Sequence, residues 1–324
     1  MIVNAIEKVR EAGITDVYIV TNVGEQELQK AIGDGSNLGI RITYFEQKGG
    51  ALGLAHVVKM AEPYIGNEPF LFYLGDNIIL GSIKPFVDQF ANSDLHCMLA
   101  LSKVKDPQRF GVPEIKDGKI VGVVEKPKDP KSNFAVTGIY LYEPVIFDAV
   151  KNISPSERGE LEISDAHQYL LDAGKLVGYK EITGWWKDTG KPEDLLEGNQ
   201  LLLQELEPGI FTESIHQESR IEGKVRIGRG TTIGKNVVIR GPVTIGDSCV
   251  IENAYIGPYA SIGDSVQIQR AEIEHSIVMT GAQIDCDARI IDSIIGSEAK
   301  VLDEEDSLPH GHKLIIGEHS SIEL

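Results

Sequence analysis

Two aspartates of the sequence each follow a short apolar stretch, a position that suits metal-ion chemistry. Asp76 comes directly after FLFYLG, and this apolar run predicts a buried strand of a parallel sheet. Asp188 follows GWWK and precedes a helical pattern that begins at Pro192. Because α/β sheets bind ligands at the carboxyl ends of their strands, the two carboxylates can meet at one sheet edge. With phosphate oxygens and water completing the shell, they form a ligand set for Mg²⁺.

The segment VVEKPKDP, residues 123–130, brings a carboxylate and an ammonium group to the end of another predicted strand. The strand delivers Glu125 and Lys126 to a point that Pro127 fixes. We expect Lys126 to bind a phosphate and Glu125 to bind a group rich in hydroxyls.

Two further segments carry groups that can bind a polar or anionic ligand. EQKGGALGLAH is a Gly-rich loop that runs into a helix, so a ligand can approach its backbone. Gln47 in this loop has both a donor and an acceptor and can bind the edge of a base. In SERGELEISDAH, Arg158 is a candidate phosphate ligand, whereas Ser164 is interpreted as a helix cap.

Each of these residues also has a purely structural interpretation. Asp76 can open a turn, Glu125 and Lys126 can form an exposed ion pair, and Arg158 can pair with the neighbouring Glu157 or Glu160. Glycines of the loop can serve turn geometry alone. No Ser-His-Asp or Cys-His arrangement is indicated.

The order of predicted elements divides the chain into two domains, 1–206 and 207–324. The first alternates between helical and strand patterns, as in the amphipathic NAIEKVREAG followed by DVYIV, and this alternation predicts an α/β fold with a mostly parallel, mixed sheet. PEIKDGKIVGVVE predicts an antiparallel hairpin that turns at Asp117 and Gly118.

The second domain has a six-residue repeat. Isoleucines recur at this spacing at Ile221, Ile227, Ile233, Ile239, Ile245 and Ile251, and again at Ile256, Ile262 and Ile268. The hexapeptide pattern predicts a parallel β-helix with the isoleucines stacked inside a triangular prism. Glycine often follows the isoleucine, which we interpret as a residue that allows a tight corner.

Composition limits the classes of partner. The net charge of −18 argues against binding to nucleic acid, and no apolar run is long enough to cross a bilayer. The three cysteines, Cys97, Cys249 and Cys286, lie far apart in the sequence and have no metal-binding spacing. Because their odd number argues against a disulfide framework, a reducing cytoplasm is expected. A small anionic ligand remains compatible with the charge, provided that Lys, Arg or a metal ion is clustered locally.

Seven motifs together resemble one family. FEQKGGALGLAH, LFYLGDN, RFGVPEI, VEKPKDP, NFAVTGIYLY, RGELEISDA and GWWKDTGKPEDLLEGN occur in the order found in sugar-1-phosphate nucleotidylyltransferases. The chain is similar to their long glucose-1-phosphate thymidylyltransferase branch, which carries a C-terminal left-handed β-helix. The resemblance covers essentially the whole chain and implies Mg²⁺-dependent transfer of dTMP from dTTP to glucose 1-phosphate, giving dTDP-glucose and pyrophosphate.

The resemblance also implies a role for each candidate residue. Asp76 and Asp188 would bind the metal ion, and Lys126 would hold the sugar phosphate. The remaining positions would bind substrate: Glu125 and the backbone of Gly111 at the sugar, Val136 and Tyr140 on the strand lining its pocket, Arg158 near its phosphate, and Gln47 and Gly53 at the base.

The family pattern G-G-x-G-T-R-L, a Gly-rich loop that holds the triphosphate, is not found in the sequence. We therefore expect weak turnover, and a non-catalytic sugar-nucleotide-binding or assembly subunit is the alternative. A second alternative is acyl transfer by the β-helix, for which His275 is the candidate. A homo-oligomer is expected, because β-helices commonly associate side by side.

Overall fold

The computed structural model describes residues 2–50, 52–182 and 184–303, and the chain divides into two compact units, Met1–Gly190 and Lys191–Leu324. The first unit has a mixed α/β fold and the second is a parallel β-solenoid of about six turns, so the predicted fold class is confirmed. In those three ranges, no helix has the length and apolar character that spanning a bilayer requires.

The first unit alternates helices and strands, as its sequence predicts. Its helices are α1 (Ile2–Glu11), α2 (Glu27–Ile32), α3 (Leu54–Ile65), α4 (Lys84–Ala91), α5 (Ile146–Asn152) and α6 (Ile163–Asp172). Its strands are β1 (Asp16–Asn22), β2 (Arg41–Gln47), β3 (Phe70–Tyr73), β4 (Asn77–Ile79), β5 (Cys97–Lys103), β6 (Gly111–Lys116), β7 (Lys119–Glu125), β8 (Phe134–Tyr142), β9 (Val177–Glu181) and β10 (Trp186–Asp188).

A four-stranded sheet in the order β3-β8-β5-β9 forms the centre of the first unit. β8 is antiparallel to both of its neighbours, whereas β5 and β9 are parallel. The prediction that FLFYLG forms a buried strand of a parallel sheet is wrong, because β3 is a half-buried edge strand that pairs antiparallel with β8. Three two-stranded pairs accompany it: parallel β1-β2, and antiparallel β4-β10 and β6-β7. The predicted hairpin is the β6-β7 pair, and its turn residues Asp117 and Gly118 both have the positive φ of a tight hairpin turn.

Alternation along β8 explains how the central sheet builds two cores. Val136, Tyr140 and Tyr142 face the cluster that contains residues of α3, α5 and α6. Ala135, Ile139 and Leu141 face the cluster that contains residues of α1 and α4. Because both faces are covered, β8 is almost continuously buried and its sequence is mostly apolar.

The second unit begins with α7 (Pro192–Gln204) and continues as three parallel stacks of short strands. One stack contains β11 (Gly209–Ile210), β13 (Val225–Ile227), β16 (Val243–Ile245), β19 (Ala260–Ile262), β22 (Ile277–Val278) and β25 (Ile294–Ile295). The second contains β12 (Arg220–Glu222), β15 (Val238–Arg240), β18 (Tyr255–Ile256), β21 (Glu272–Glu274) and β24 (Arg289–Ile291). The third contains β14 (Thr232–Ile233), β17 (Val250–Glu252), β20 (Gln267–Gln269), β23 (Gln283–Asp285) and β26 (Lys300–Leu302).

Helix α7 makes specific hydrogen bonds within the second unit. The Asn199 amide donates to the carbonyl of Tyr259 at 2.9 Å and accepts from the Ser261 hydroxyl at 2.5 Å. Contacts therefore group this helix with the β-helix, whereas the sequence-based division at residue 206 groups it with the preceding domain. That division stays a proposal.

The repeating isoleucines stack inside the prism as predicted. Ile227 pairs with Ile245, which pairs with Ile262, and all three are at most 2% exposed. The interpretation that the glycines following these isoleucines allow a tight corner is wrong. Gly246 does not have a positive φ, but a side chain there would collide with the backbone of Gly263 in the next coil. Left-handed corner positions are occupied instead by residues such as Ser248.

Candidate active site

Strand pairing brings the two candidate metal ligands together at the end of the sheet. β4 and β10 are antiparallel, with Asn77 opposite Asp188. One residue further along, the backbone N–H of Thr189 donates to the carbonyl of Asp76 at 3.1 Å, and its hydroxyl donates to the same oxygen at 2.6 Å. Asp76 is exposed and Asp188 is half-buried, so a ligand can reach this pair of backbone positions.

Asn77 is buried and fixes the orientation of this pair. Its amide donates to Oδ1 of Asp76 at 2.8 Å. Its own Oδ1 accepts from the indole N–H of Trp186 at 2.6 Å and from the backbone N–H of Gly138 at 3.3 Å. The Asn77 side chain thus links Asp76 to β10 and to the central strand β8, and this restricts the orientation of the Asp76 carboxylate.

Two carboxylates are a suitable partial ligand set for a divalent ion, although within the described ranges no group of three or more His, Cys, Asp or Glu residues could hold one. Mg²⁺ commonly keeps several water molecules and binds through one or two protein carboxylates together with substrate phosphates. The chemistry of Asp76 and Asp188 fits that mode, because both are hard oxygen donors on adjacent backbone positions.

Glu125 and Lys126 lie at the end of β7, where the backbone is held in an uncommon conformation. The Lys126 backbone N–H donates to the carbonyl of Phe110 at 2.9 Å, and Lys126 has a φ of +42°. A left-handed φ is uncommon for a residue with a side chain, although β-helix corners of this chain such as Ser248 share it. The Lys126 side chain is exposed and has no salt-bridge partner in the part of the chain that the structure describes. The ammonium group is therefore available to an anion.

Glu125 is half-buried beside the first turn of α6. Its Oε2 accepts a hydrogen bond from the hydroxyl of Ser164 at 2.7 Å. Burial raises the pKa of Glu125, and the nearby Glu162 raises it further, whereas Ser164, Lys126 and Arg158 lower it. Opposing influences therefore act on the pKa of this half-buried carboxylate.

Ser164 does not cap α6, contrary to the sequence-based expectation. The N-cap position is Glu162, whose side chain makes no capping hydrogen bond, and Ser164 is the second residue of the helix. The hydroxyl instead donates across to β7. The reason is tertiary, since β7 and α6 pack together and Gln168 of α6 also accepts from the backbone N–H of Val123 at 3.0 Å.

Arg158 is paired with carboxylates of its own loop. Its guanidinium lies 2.8 Å from Oε1 of Glu160 and 3.7 Å from Oε1 of Glu162. The group is close enough to Glu125 to influence its pKa. Its role near a sugar phosphate therefore stays a prediction that requires it to exchange or share these partners.

Val136, Tyr140 and Gly111 surround the Glu125 end of the site. A side chain at Gly111 would lie 3.6 Å from Cβ of Val136 and 3.3 Å from Oε2 of Glu125. Burial raises the pKa of the Tyr140 phenol, and the charges of Glu125 and Asp76 raise it further, so this ring lies within electrostatic range of both acidic groups. β8 thus connects the carboxylate pair to the Glu125 and Lys126 pair.

Gln47 and Gly53, the two candidate base-binding residues, lie at either end of the Gly-rich loop. Gln47 is the last residue of β2, opposite Asn22 of β1. Gly53 has a φ of +95°, and a side chain there would collide with the backbone of Leu161. The backbone N–H of Ala55 donates to the carbonyl of Leu161 at 3.1 Å, so the loop is tied to the segment before α6. This close packing is sufficient to require glycine, and a contact of Gly53 with a base stays a prediction.

His275 lies outside this site, in the second unit. It occupies an exposed left-handed corner after β21, with its Nδ1 3.8 Å from Asp292 and its ring edge against Tyr259. These contacts are those of an outward-facing corner residue.

Comparison with protein families assigns the first unit. A family model described as nucleotidyl transferase matches residues 1–205. The chain belongs to the nucleotidyl transferase family. In the second unit of this nucleotidyl transferase, a model for the bacterial transferase hexapeptide matches residues 224–253, and a GMPPB C-terminal domain model matches 239–305.

Relatives of this nucleotidyl transferase extend over almost the whole chain. It is 40% identical to a glucose-1-phosphate thymidylyltransferase of Streptomyces griseus, over 98% of this chain and 89% of that protein. It is 39% identical to the low-salt glycan biosynthesis nucleotidyltransferase Agl11 of Haloferax volcanii, over 99% of this chain and 90% of that protein. The chain is therefore an enzyme of the nucleotidyltransferase type, and such enzymes generally use a divalent metal ion.

Two solved structures are similar to the structure of this chain. A Bacillus anthracis protein assigned as a glucose-1-phosphate thymidylyltransferase, in complex with sucrose, has a TM-score of 0.59 and 38% identity, covering 64% of this chain and 84% of that one. A UDP-glucose pyrophosphorylase bound to UDP-glucose has a TM-score of 0.57 and 26% identity, covering 63% and 86% of the two chains.

Sequence reasoning missed two residues that organise the candidate site. Asn77 directly follows Asp76, but its hydrogen bonds to Trp186 and Gly138 depend on strand pairings that the local pattern does not reveal. Ser164 lies within ELEIS, and a serine near a helix start is normally interpreted as a cap. The one sequence signal that pointed to Asn77 was its amide side chain directly after Asp76, a candidate metal ligand.

Proposed function

We propose that this nucleotidyl transferase transfers a thymidylyl group from dTTP to glucose 1-phosphate, with Mg²⁺ as the divalent ion. The supporting observation is that β8 contacts the surroundings of both pairs. Gly138 of β8 donates to Asn77 beside Asp76 and Asp188, and Val136 of β8 borders the same space at Gly111 as the Glu125 carboxylate. The names of full-length relatives, including the Streptomyces griseus protein, support the choice of base and sugar.

The proposed reaction is in-line transfer between two anions. A phosphate oxygen of glucose 1-phosphate attacks the α-phosphorus of dTTP, the bond from that phosphorus to the β-phosphate oxygen breaks, and pyrophosphate leaves. The protein must hold the reacting groups close together and offset their negative charge. A bound Mg²⁺ ion supplies charge neutralisation at the phosphate oxygens.

The residues of this chain have separate tasks in the proposal. Asp76 and Asp188 hold the cation, and Asn77 keeps the Asp76 carboxylate in place. The Lys126 ammonium offsets the charge of the sugar phosphate. Glu125 accepts hydrogen bonds from sugar hydroxyls, and being half-buried it does so with little competition from water.

The test measures pyrophosphate release with Mg²⁺, using dTTP or dUTP together with glucose 1-phosphate or galactose 1-phosphate. We expect the highest kcat/KM for dTTP with glucose 1-phosphate and loss of release when EDTA removes the cation. Because dTTP and dUTP differ by one methyl group of the base, worth about 1 kcal/mol in an apolar pocket, preference for dTTP over dUTP should be about fivefold.

A second readout separates binding from turnover. Saturation-transfer NMR with dTDP-glucose detects weak binding without the triphosphate. The weak turnover expected from the sequence stays a prediction that the two assays test together. Binding without release for any substrate pair would favour the non-catalytic subunit, whereas neither binding nor release would contradict the proposed function.

A further inference from the structure

Ser164 makes the closest polar contact to the carboxylate assigned to the sugar. It is the second residue of α6 and only 1% exposed. Its hydroxyl donates to Oε2 of Glu125 at 2.7 Å. In the described ranges, Ser164 is the side chain that donates a hydrogen bond to the Glu125 carboxylate, and Oε1 of Glu125 accepts no side-chain hydrogen bond. The contact therefore leaves one carboxylate oxygen available to a ligand.

Docking of α6 on β7 does not depend on this hydrogen bond. One helical turn after Ser164, Oε1 of Gln168 accepts from the backbone N–H of Val123 at 3.0 Å. Ile163, Ala166 and Leu170 of the same helix are buried in the core cluster that also contains Val123. Because the helix is already fixed, the Ser164 hydroxyl has a more local effect, which is to orient the Glu125 side chain.

The neighbouring backbone leaves space for the pair. A Cβ atom at Gly111 would lie 2.6 Å from Oγ of Ser164 and 3.3 Å from Oε2 of Glu125. The first of these distances is shorter than real Cβ contacts allow, so any larger residue would displace the hydroxyl. Gly111 does not have a positive φ, so backbone conformation gives no separate reason for glycine.

We propose that Ser164 is a positioning residue of the sugar subsite, whose hydroxyl holds one oxygen of Glu125 so that the other accepts a sugar hydroxyl. This inference rests on the proposed function, because it deepens the role given there to Glu125. The hydroxyl does not touch substrate and acts through the carboxylate.

Charges around Glu125 make the same hydrogen bond relevant to pH. Burial and the carboxylate of Glu162, the N-cap residue of α6, raise the pKa of Glu125, whereas the Ser164 hydroxyl, the adjacent Lys126 and Arg158 of the loop before α6 lower it. The charge of Glu125 in turn raises the pKa of Tyr140 on β8. Without the hydroxyl, the pKa of Glu125 rises further, and protonation then begins at a higher pH. A protonated carboxyl is a weaker acceptor, so the acidic limb of activity should move to higher pH.

The test compares Ser164→Ala with Ser164→Thr, which keeps the hydroxyl, and with Gln168→Ala, which weakens the same helix contact away from the carboxylate. In Ser164→Ala we expect KM for glucose 1-phosphate to rise about tenfold, the scale of a hydrogen bond to a charged group, while KM for dTTP changes less than about twofold. Ser164→Thr should restore the wild-type values. Gln168→Ala should lower the melting temperature without changing either KM.

A readout independent of activity completes the test. A ¹³C NMR titration of the Glu125 carboxyl should give a higher pKa in Ser164→Ala than in the wild type. An unchanged carboxyl titration, or an equal rise of both KM values, would overturn the positioning role. Failure of the wild-type protein to bind glucose 1-phosphate would instead contradict the proposed function, and the carboxyl titration would still decide what Ser164 does to Glu125.

Discussion

The two units of the chain place their key residues in opposite ways. In the β-helix, a short repeat positions each core residue, and Ile227, Ile245 and Ile262 pair from coil to coil. In the α/β unit, the site depends on contacts between distant segments, such as the hydrogen bond from Thr189 to Asp76 across 113 positions. The comparison teaches that repetition determines a fold locally, whereas the candidate site depends on pairings between strands that are far apart in the sequence.

The difference also separates stability from function. Most interior positions of the β-helix are apolar, so their replacement should affect folding. Asp76, Asp188 and Lys126 of the first unit are charged and at least partly exposed, so their replacement should affect the reaction while folding survives. The following predictions test that separation, beginning with the largest expected effect.

The largest effect is expected for Ile239→Asp. Ile239 is fully buried in the prism, and an unpaired buried charge costs about 3–5 kcal/mol. We expect the coils of the second unit to lose protection from hydrogen exchange, as measured by mass spectrometry of peptides from residues 225–295. Val250→Asp is the matched control, because Val250 lies on β17, a strand of another stack of the same β-helix, but is 48% exposed. Equal protection in both variants would contradict the assignment of an apolar interior.

The next effect is catalytic. Asp76→Asn and Asp188→Asn keep the shape of each side chain and remove its charge, so both variants should fold. We expect kcat to fall at least about a hundredfold in each, because charge stabilisation at the phosphates is lost. Asp88→Asn is the control, since Asp88 is an exposed acid on α4 that pairs with Lys84. Near-normal kcat in both site variants would exclude these residues as metal ligands.

These first two predictions mark how far the sequence leads. The isoleucine spacing was sufficient for the β-helix, because its contacts repeat from one coil to the next. The positions of Asp76 and Asp188 after apolar stretches indicated that they can meet, and the antiparallel pairing of β4 and β10 is what brings their backbones together. The roles of Asn77 and Ser164 could not be predicted from the sequence. Pairing of β4 with β10 brings Trp186 to Asn77, and packing of α6 on β7 brings Ser164 to Glu125.

A smaller effect is expected for Lys126→Met, which keeps the aliphatic stem and removes the ammonium charge. A hydrogen bond to a charged group is worth about 2 kcal/mol, so KM for glucose 1-phosphate should rise at least about tenfold. KM for dTTP should change much less, because Lys126 follows Glu125 at the sugar end of the site. Lys128→Met, an exposed change nearby, should alter neither value. Equal losses for both substrates would place Lys126 elsewhere.

Acid should destabilise the first unit through His167. This fully buried ring lies 2.7 Å from the Tyr142 hydroxyl, and burial lowers its pKa to about 3. The unfolded chain takes up a proton near pH 6.5, so below that pH the free energy of unfolding should fall by about 1.4 kcal/mol per pH unit, or about 2 kcal/mol by pH 5.

The measurement uses urea unfolding followed by tryptophan fluorescence. Trp185 and Trp186 are the two tryptophans of the chain and both lie in the first unit, so the signal follows that unit. His167→Gln keeps a hydrogen-bonding side chain of similar reach and removes the titration, and it should flatten the dependence on pH between 7 and 5. The same slope in the variant would assign the acid sensitivity to another group.

The smallest effect is expected for His275→Ala, because the comparison of the two units predicts no catalysis in the β-helix. His275 is exposed at a corner, where it contacts Tyr259 and lies 3.8 Å from Asp292. Nucleotidyl transfer should change less than about twofold, the range of an exposed surface substitution without a specific role. Wild type and variant should be assayed in parallel for pyrophosphate release and for acetyl transfer from acetyl-CoA to amino sugar phosphates. Acetyl transfer that disappears with His275 would show that the β-helix has chemistry of its own, and the separation between a structural unit and a catalytic unit would then fail.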